Sequence, residues 1–139
     1  MIFVMRNTTF SVLASFGAAV VLSLSLSALA QGNWQIPEGA AAEKSPLKPG
    51  PDVLKSGRGT YVTHCQKCHG AEGKGDGPDS DPRMPAADLT DGFRAELNPD
   101  GVLYYRIFNG KPPVMPAFKS TLTKDQIWPV VEYIKSIRK

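Results

Sequence analysis

The chain is poor in cysteine and histidine. Its 139 residues hold two of each, and His64, Cys65, Cys68 and His69 fall within six positions. A zinc ion would have to take all four as its complete set, whereas structural zinc usually draws two ligand pairs from separate segments. A disulfide between the two cysteines would close a very small, strained loop. No stretch alternates apolar and polar residues for long enough to make a sheet, and there are no internal repeats. Without strands, Cys65 and Cys68 lack the strand–helix–strand setting of a thioredoxin-like redox site. The glycines at 73, 75 and 77 likewise lack the strand that precedes a phosphate-binding loop. Charge of one sign is also scarce, with 16 Lys+Arg against 13 Asp+Glu. Nothing in that balance argues for nucleic acid.

Charge is missing altogether from Phe10 to Ala30, an apolar run with scattered serines and Arg6 just before it. Ala28-Leu29-Ala30 gives a small-x-small cleavage site ahead of Gln31. Residues 1–30 therefore read as a secretory signal peptide. About 20 apolar residues can also span a bilayer, so an uncleaved membrane anchor is the alternative. Either way the domain is exported, which predicts a periplasmic location. Residues 31–50 show no helical or strand period and read as a flexible arm. Trp34 and Ile36 are the exceptions, able to tuck onto the domain surface.

What is present is Cys65-Gln66-Lys67-Cys68-His69. Two cysteines three apart, with a histidine directly after, form the attachment site for c-type haem. Each thiol adds to one porphyrin vinyl group, and one helical turn sets the pair against neighbouring vinyls. His69 then lies under the iron as proximal ligand. The spacing of other residues predicts helices around this motif. One runs from Pro51 or Asp52 to Cys65, with Pro51 at its first position. A short turn falls near Asp91–Leu97. A second helix runs from Asn98, as N-cap, to Asn109, with Gly110 as its left-handed cap. The last runs from Thr123 to about Arg138, opened by a Thr123…Gln126 capping box. Pro129 interrupts its hydrogen bonding.

From Pro51 to Lys139 the chain resembles the class I cytochromes c, small monohaem proteins of bacterial periplasms and mitochondria. The resemblance rests on Gly57 and Tyr61 eight and four residues before Cys65, the attachment motif, the Gly70–Pro78 loop, Met115-Pro116-Ala117-Phe118, and the aromatic pair Trp128 and Tyr133. It implies an all-α cytochrome c fold, with three main helices around one covalently bound haem. It implies that Gly57 lets the first helix cross closely on Tyr133 of the last. A proline carbonyl accepts the proximal histidine's other N–H in such proteins; Pro78 matches best, with Pro82 and Pro85 as rivals. Met115 stands where the family carries its sixth ligand, and a residue before proline is biased to extended backbone, which suits a stiff ligand loop. Met84 is the rival, and His64 is expected as an exposed helix residue.

The expected function is one-electron transfer by a periplasmic carrier with His69/Met115 ligation, working between redox protein partners. A haem c subunit of a larger oxidoreductase is the alternative, and a haem peroxidase or gas-binding module is a further one. Membrane contact is expected only if the N-terminal segment is uncleaved. Residues 70–100 hold three basic and eight acidic side chains, and residues 101–139 seven and two. Such a dipolar surface can steer a partner.

Overall fold

The computed structural model describes residues 34–139; residues 1–30, expected as a signal peptide, and residues 31–33 lie outside the described residues. Helix α1 (Pro51–His64) begins with Pro51 in its first turn, where a missing N–H costs nothing, and Asp52 beside the positive helix end. Its last turn closes on Cys65, whose N–H donates to the Tyr61 carbonyl at 2.8 Å. Cys65 also opens α2 (Gln66–His69). Helix α3 (Gly92–Glu96) starts where the Asp91 carboxylate accepts the Phe93 N–H at 2.9 Å. Helices α4 (Asp100–Asn109) and α5 (Lys124–Ser136) complete the set. Among the described residues there is no strand, only isolated bridges at Asp81–Met84 and Lys111–Met115. The fold is all-α with three main helices, as the sequence implies. No helix of the described residues is long and apolar enough to cross a membrane.

Apolar positions three and four apart on α5 put Ile127, Val130, Val131 and Ile134 into the core against Tyr61, Leu103 and Ile107. Tyr104 of α4 stacks on Trp128 at 4.5 Å between ring centroids. The α1–α5 crossing depends on Gly57. A Cβ there would run into the carbonyl of Pro129, and next into Tyr133. The expected close crossing is present, with the proline backbone as its first contact. Tyr133 also packs on Tyr61 at 5.2 Å. The Thr123 N–H donates to Gln126 Oε1 at 3.0 Å, as the capping box requires.

Two local expectations are corrected. Asn98 does not cap α4; Pro99 holds that place without a side-chain bond. Asn98 instead turns its Nδ2 back to the Arg94 carbonyl, finishing α3. Short amide side chains reach neighbouring backbone in more than one way, and here the preceding helix is the better acceptor. Residues 34–50 are not a loose arm. Ala40–Ala42 form a 3-10 turn, and Ala40 packs so tightly on α4 that only glycine fits at 101. The Ser45 N–H donates to Asp100 Oδ2 at 3.0 Å, and Asn109 Nδ2 to the Gln35 carbonyl at 2.7 Å. The segment is a strap laid along α4. Its anchors are single contacts without a period, which a pattern search does not register.

Candidate haem-binding site

The turn from α1 into α2 sets Cys65, Cys68 and His69 on the wall of one cavity. The Cys68 and His69 N–H groups both donate to the Cys65 carbonyl, at 3.1 and 2.9 Å, so the pair is spaced by one helical turn. The cavity measures about 320 Å³, within the range of cofactor pockets. Leu89, Leu103, Ile107, Phe118 and Ile134 give it apolar walls. Burial, and then the neighbouring Cys68, push the Cys65 thiol up to about 12. That is the reverse of the lowered value of a reactive thiolate. Among the described residues no three His, Cys, Asp or Glu side chains converge on a metal site, so the four-residue zinc reading has no support.

His69 lies with its Nδ1 at 3.0 Å from the Ala87 carbonyl. Burial lowers its pKa, against the smaller opposing effect of this bond, and so favours the neutral ring that metal ligation uses. The acceptor is therefore Ala87 and not Pro78, which is corrected here, and neither proline rival takes the role. The reason is the path of the glycine loop. Gly77 and Asp79 donate back to the carbonyls of Cys68 and Lys67, at 3.1 and 2.8 Å, leaving Pro78 exposed on the outside of α2. The following loop returns underneath. Leu89 donates to the Gly73 carbonyl at 2.7 Å. Gly75, at φ 80°, passes so close to Ala86 that a side chain would strike its carbonyl. Ala87 is thereby presented to His69.

Met115 lines the same cavity from the loop between α4 and α5. That loop is closed by reciprocal bonds between Lys111 and Met115, at 2.8 and 3.0 Å. Beyond it, Phe118 and Lys119 donate to the Ile107 and Phe108 carbonyls at 3.2 and 3.1 Å, tying the loop to α4 at both ends. Met84 is absent from the cavity wall and 55% exposed. His64 is not simply exposed: it is half-buried at the cavity wall, with its ring edge-on to Phe118 at 6.0 Å.

A family model described as cytochrome C oxidase, cbb3-type, subunit III matches residues 52–134. The chain belongs to this family of c-type cytochromes. Solved structures agree. A chain of the Kuenenia stuttgartiensis reducing HAO-like protein complex Kustc0457/Kustc0458 is 32% identical, with TM-score 0.57, over 68% of this chain and 47% of that one. The KustC0563 c-type cytochrome is 26% identical, with TM-score 0.54, over 60% of this chain and 98% of that one. Cytochrome CL from the marine methylotrophic bacterium Methylophaga aminisulfidivorans is 25% identical, with TM-score 0.51, over 61% and 55%. The cytochrome thus spans about half the length of the first of these. No curated protein matches it.

The cofactor of such a protein is covalently bound haem c, and the cavity fits it. Its walls are apolar, its two thiols carry the required spacing, and it contains polar atoms awaiting a partner. Arg106 Nε and Asn98 Oδ1 are buried without a hydrogen bond, and both residues line the cavity. The arginine has a signal in the sequence: Leu103, Arg106 and Ile107 stand at helical spacing, which puts a cation on the apolar face of α4.

Proposed function

We propose that the cytochrome is a periplasmic one-electron carrier, with haem attached at Cys65 and Cys68 and iron held by His69 and Met115. When bound, haem c supplies a reversible one-electron couple. The chain's own part is to hold both axial side chains still and keep water from the apolar walls. The Ala87 carbonyl fixes the His69 ring and makes its other nitrogen a better ligand. The Lys111–Met115 closure limits the freedom a weak thioether would otherwise lose on ligation. His and Met together leave no open position, and methionine raises the reduction potential.

The observation that carries this reading is that Met115 shares a cavity with Cys65, Cys68 and His69, while Met84 faces solvent. Met115→Ala should abolish the sulfur-to-iron charge-transfer band of the ferric protein and lower its potential. Met84→Ala should do neither. The opposite pattern would make Met84 the ligand. A second reading, an electron-transfer subunit of a larger oxidoreductase, draws support from the similar chain in a HAO-like protein complex. Co-purification of the native protein with a larger redox enzyme would favour it.

A further inference from the structure

The cavity wall carries five cations, Arg94, Arg106, Arg138, Lys67 and Lys111, and one carboxylate, Asp88. That carboxylate is already engaged, accepting the Thr90 N–H at 2.8 Å and the Thr90 hydroxyl at 2.7 Å. Lys67 and Arg94 have carboxylates nearby, Asp79 at 3.9 Å and Asp91 at 3.6 Å. Arg106 and Arg138 make no ion pair with any described residue. A half-buried guanidinium with an unpartnered N–H is costly unless an anion meets it.

Both arginines are held in place from behind. Arg138 Nη2 donates to the Asn98 carbonyl at 3.0 Å. The Arg106 guanidinium carbon stands 4.9 Å from the centre of the Trp34 ring, a cation–π distance. Trp34 is in turn fixed by its neighbour, through the bond from Asn109 to the Gln35 carbonyl. Trp34 and Arg138 both lie outside residues 52–134, so membership of the family assigns them nothing.

We propose that Arg106 and Arg138 take the two propionate carboxylates of the haem, and that Trp34 is a positioning residue holding Arg106 for that purpose. The inference rests on the haem c reading of the cavity. It accounts for unpaired guanidinium groups on the wall of an otherwise apolar pocket: the ligand is an apolar ring with two carboxylates at one edge. Guanidinium is suited to the task, because it pairs with carboxylate in a planar, two-bond fork. A cation paired to each propionate also offsets negative charge near the iron. Removing it leaves charge that favours the ferric state, so the potential falls.

The test uses mature holoprotein carrying R106Q, R138Q, R106K or W34A, with R83Q as a control at an exposed arginine off the cavity wall. Mass after denaturation reports whether haem is attached, and the ferric charge-transfer band reports the methionine ligand. These two readouts judge the haem and ligand readings separately. With the band unchanged, R106Q and R138Q should each lower the potential, R106K should return most of the loss, and W34A should fall between native and R106Q. Redox difference infrared spectra with haem labelled at the propionate carboxyl carbons should show a shifted carboxylate stretch in R106Q and R138Q alone. Potentials and stretches equal to those of R83Q would overturn the proposal. So would a fall in potential that comes only with loss of the band.

Discussion

At the scale of single residues, two positions on α1 fix how the haem-bearing turn is held. Tyr61 is wholly buried, and its hydroxyl donates to the Gly70 carbonyl at 2.7 Å, just past His69. Tyr61→Phe leaves that carbonyl with only the longer bond from the Gly73 N–H, at 3.3 Å, and should cost about 1 kcal/mol. Denaturant unfolding of the holoprotein measures it, and an unchanged midpoint would show the bond to be unimportant. Gly57→Ala places a methyl group against the Pro129 carbonyl, which is backbone and cannot swing aside. Overpacking of this kind should cost about 1–3 kcal/mol, read from the same unfolding curves. A stabilised variant would contradict the crossing described here. Gly57, Tyr61, the attachment motif and the place of Met115 on the cavity wall were legible in the sequence because each is a side-chain choice, or a deliberate lack of one. The Ala87 acceptor was not. Every residue carries a carbonyl, so which one meets His69 depends on the loop's path, and proline at 78 gave no sign that the chain would pass outside α2.

At the scale of elements, the three main helices were legible from apolar spacing and caps, while the strap was not. Residues 34–50 bury little and repeat nothing, yet Ser45, Gln35 and Ala40 each meet α4. The strongest anchor is Asp100, which accepts the Ser45 N–H and pairs with Lys135 at 3.1 Å. Lys135 also pairs with the buried Glu132 at 2.9 Å, joining strap, α4 and α5. Burial alone would raise the Asp100 carboxyl, but the Ser45 N–H and Lys135 prevail and hold it below the usual carboxylate range. A carboxyl depressed by folding stabilises the protein fully above its unfolded value, near ~4. That contribution is lost as pH falls through the lower folded value. Asp100→Asn should therefore lose less stability than native between about pH 5 and 3, measured by denaturation at each pH. The same variant should be cut faster by trypsin after Lys44 at neutral pH. Equal acid sensitivity and equal cleavage would show that Asp100 does not anchor the strap.

At the scale of the whole molecule, charge and coordination bear on partners. The basic C-terminal third includes Lys111 and Lys119, which flank the Met115 loop. Exposed Val114 lies between them. A basic rim around an apolar tip suits docking to an acidic redox partner, with encounter quickened by long-range attraction. Raising ionic strength should slow reduction by such a partner, since screening shortens the reach of surface charge to about 10 Å at 0.1 M salt. Rates insensitive to salt, or unchanged by Lys111→Glu with Lys119→Glu, would remove this surface from the docking account. The charge asymmetry was legible in the sequence, because blocks of like charge survive folding as surface. The meeting of Arg106 with Arg138 at the cavity wall was not, because Arg106 stands on α4 and Arg138 lies beyond the end of α5. The central claim is that His69 and Met115 close the iron to outside ligands, making the protein a carrier and not a catalyst or gas sensor. It is tested by mixing the reduced holoprotein with carbon monoxide at neutral pH and following the Soret band. A carrier gives little or slow change, since Met115 can leave only if the Lys111–Met115 closure opens; a fast and complete shift would contradict the claim.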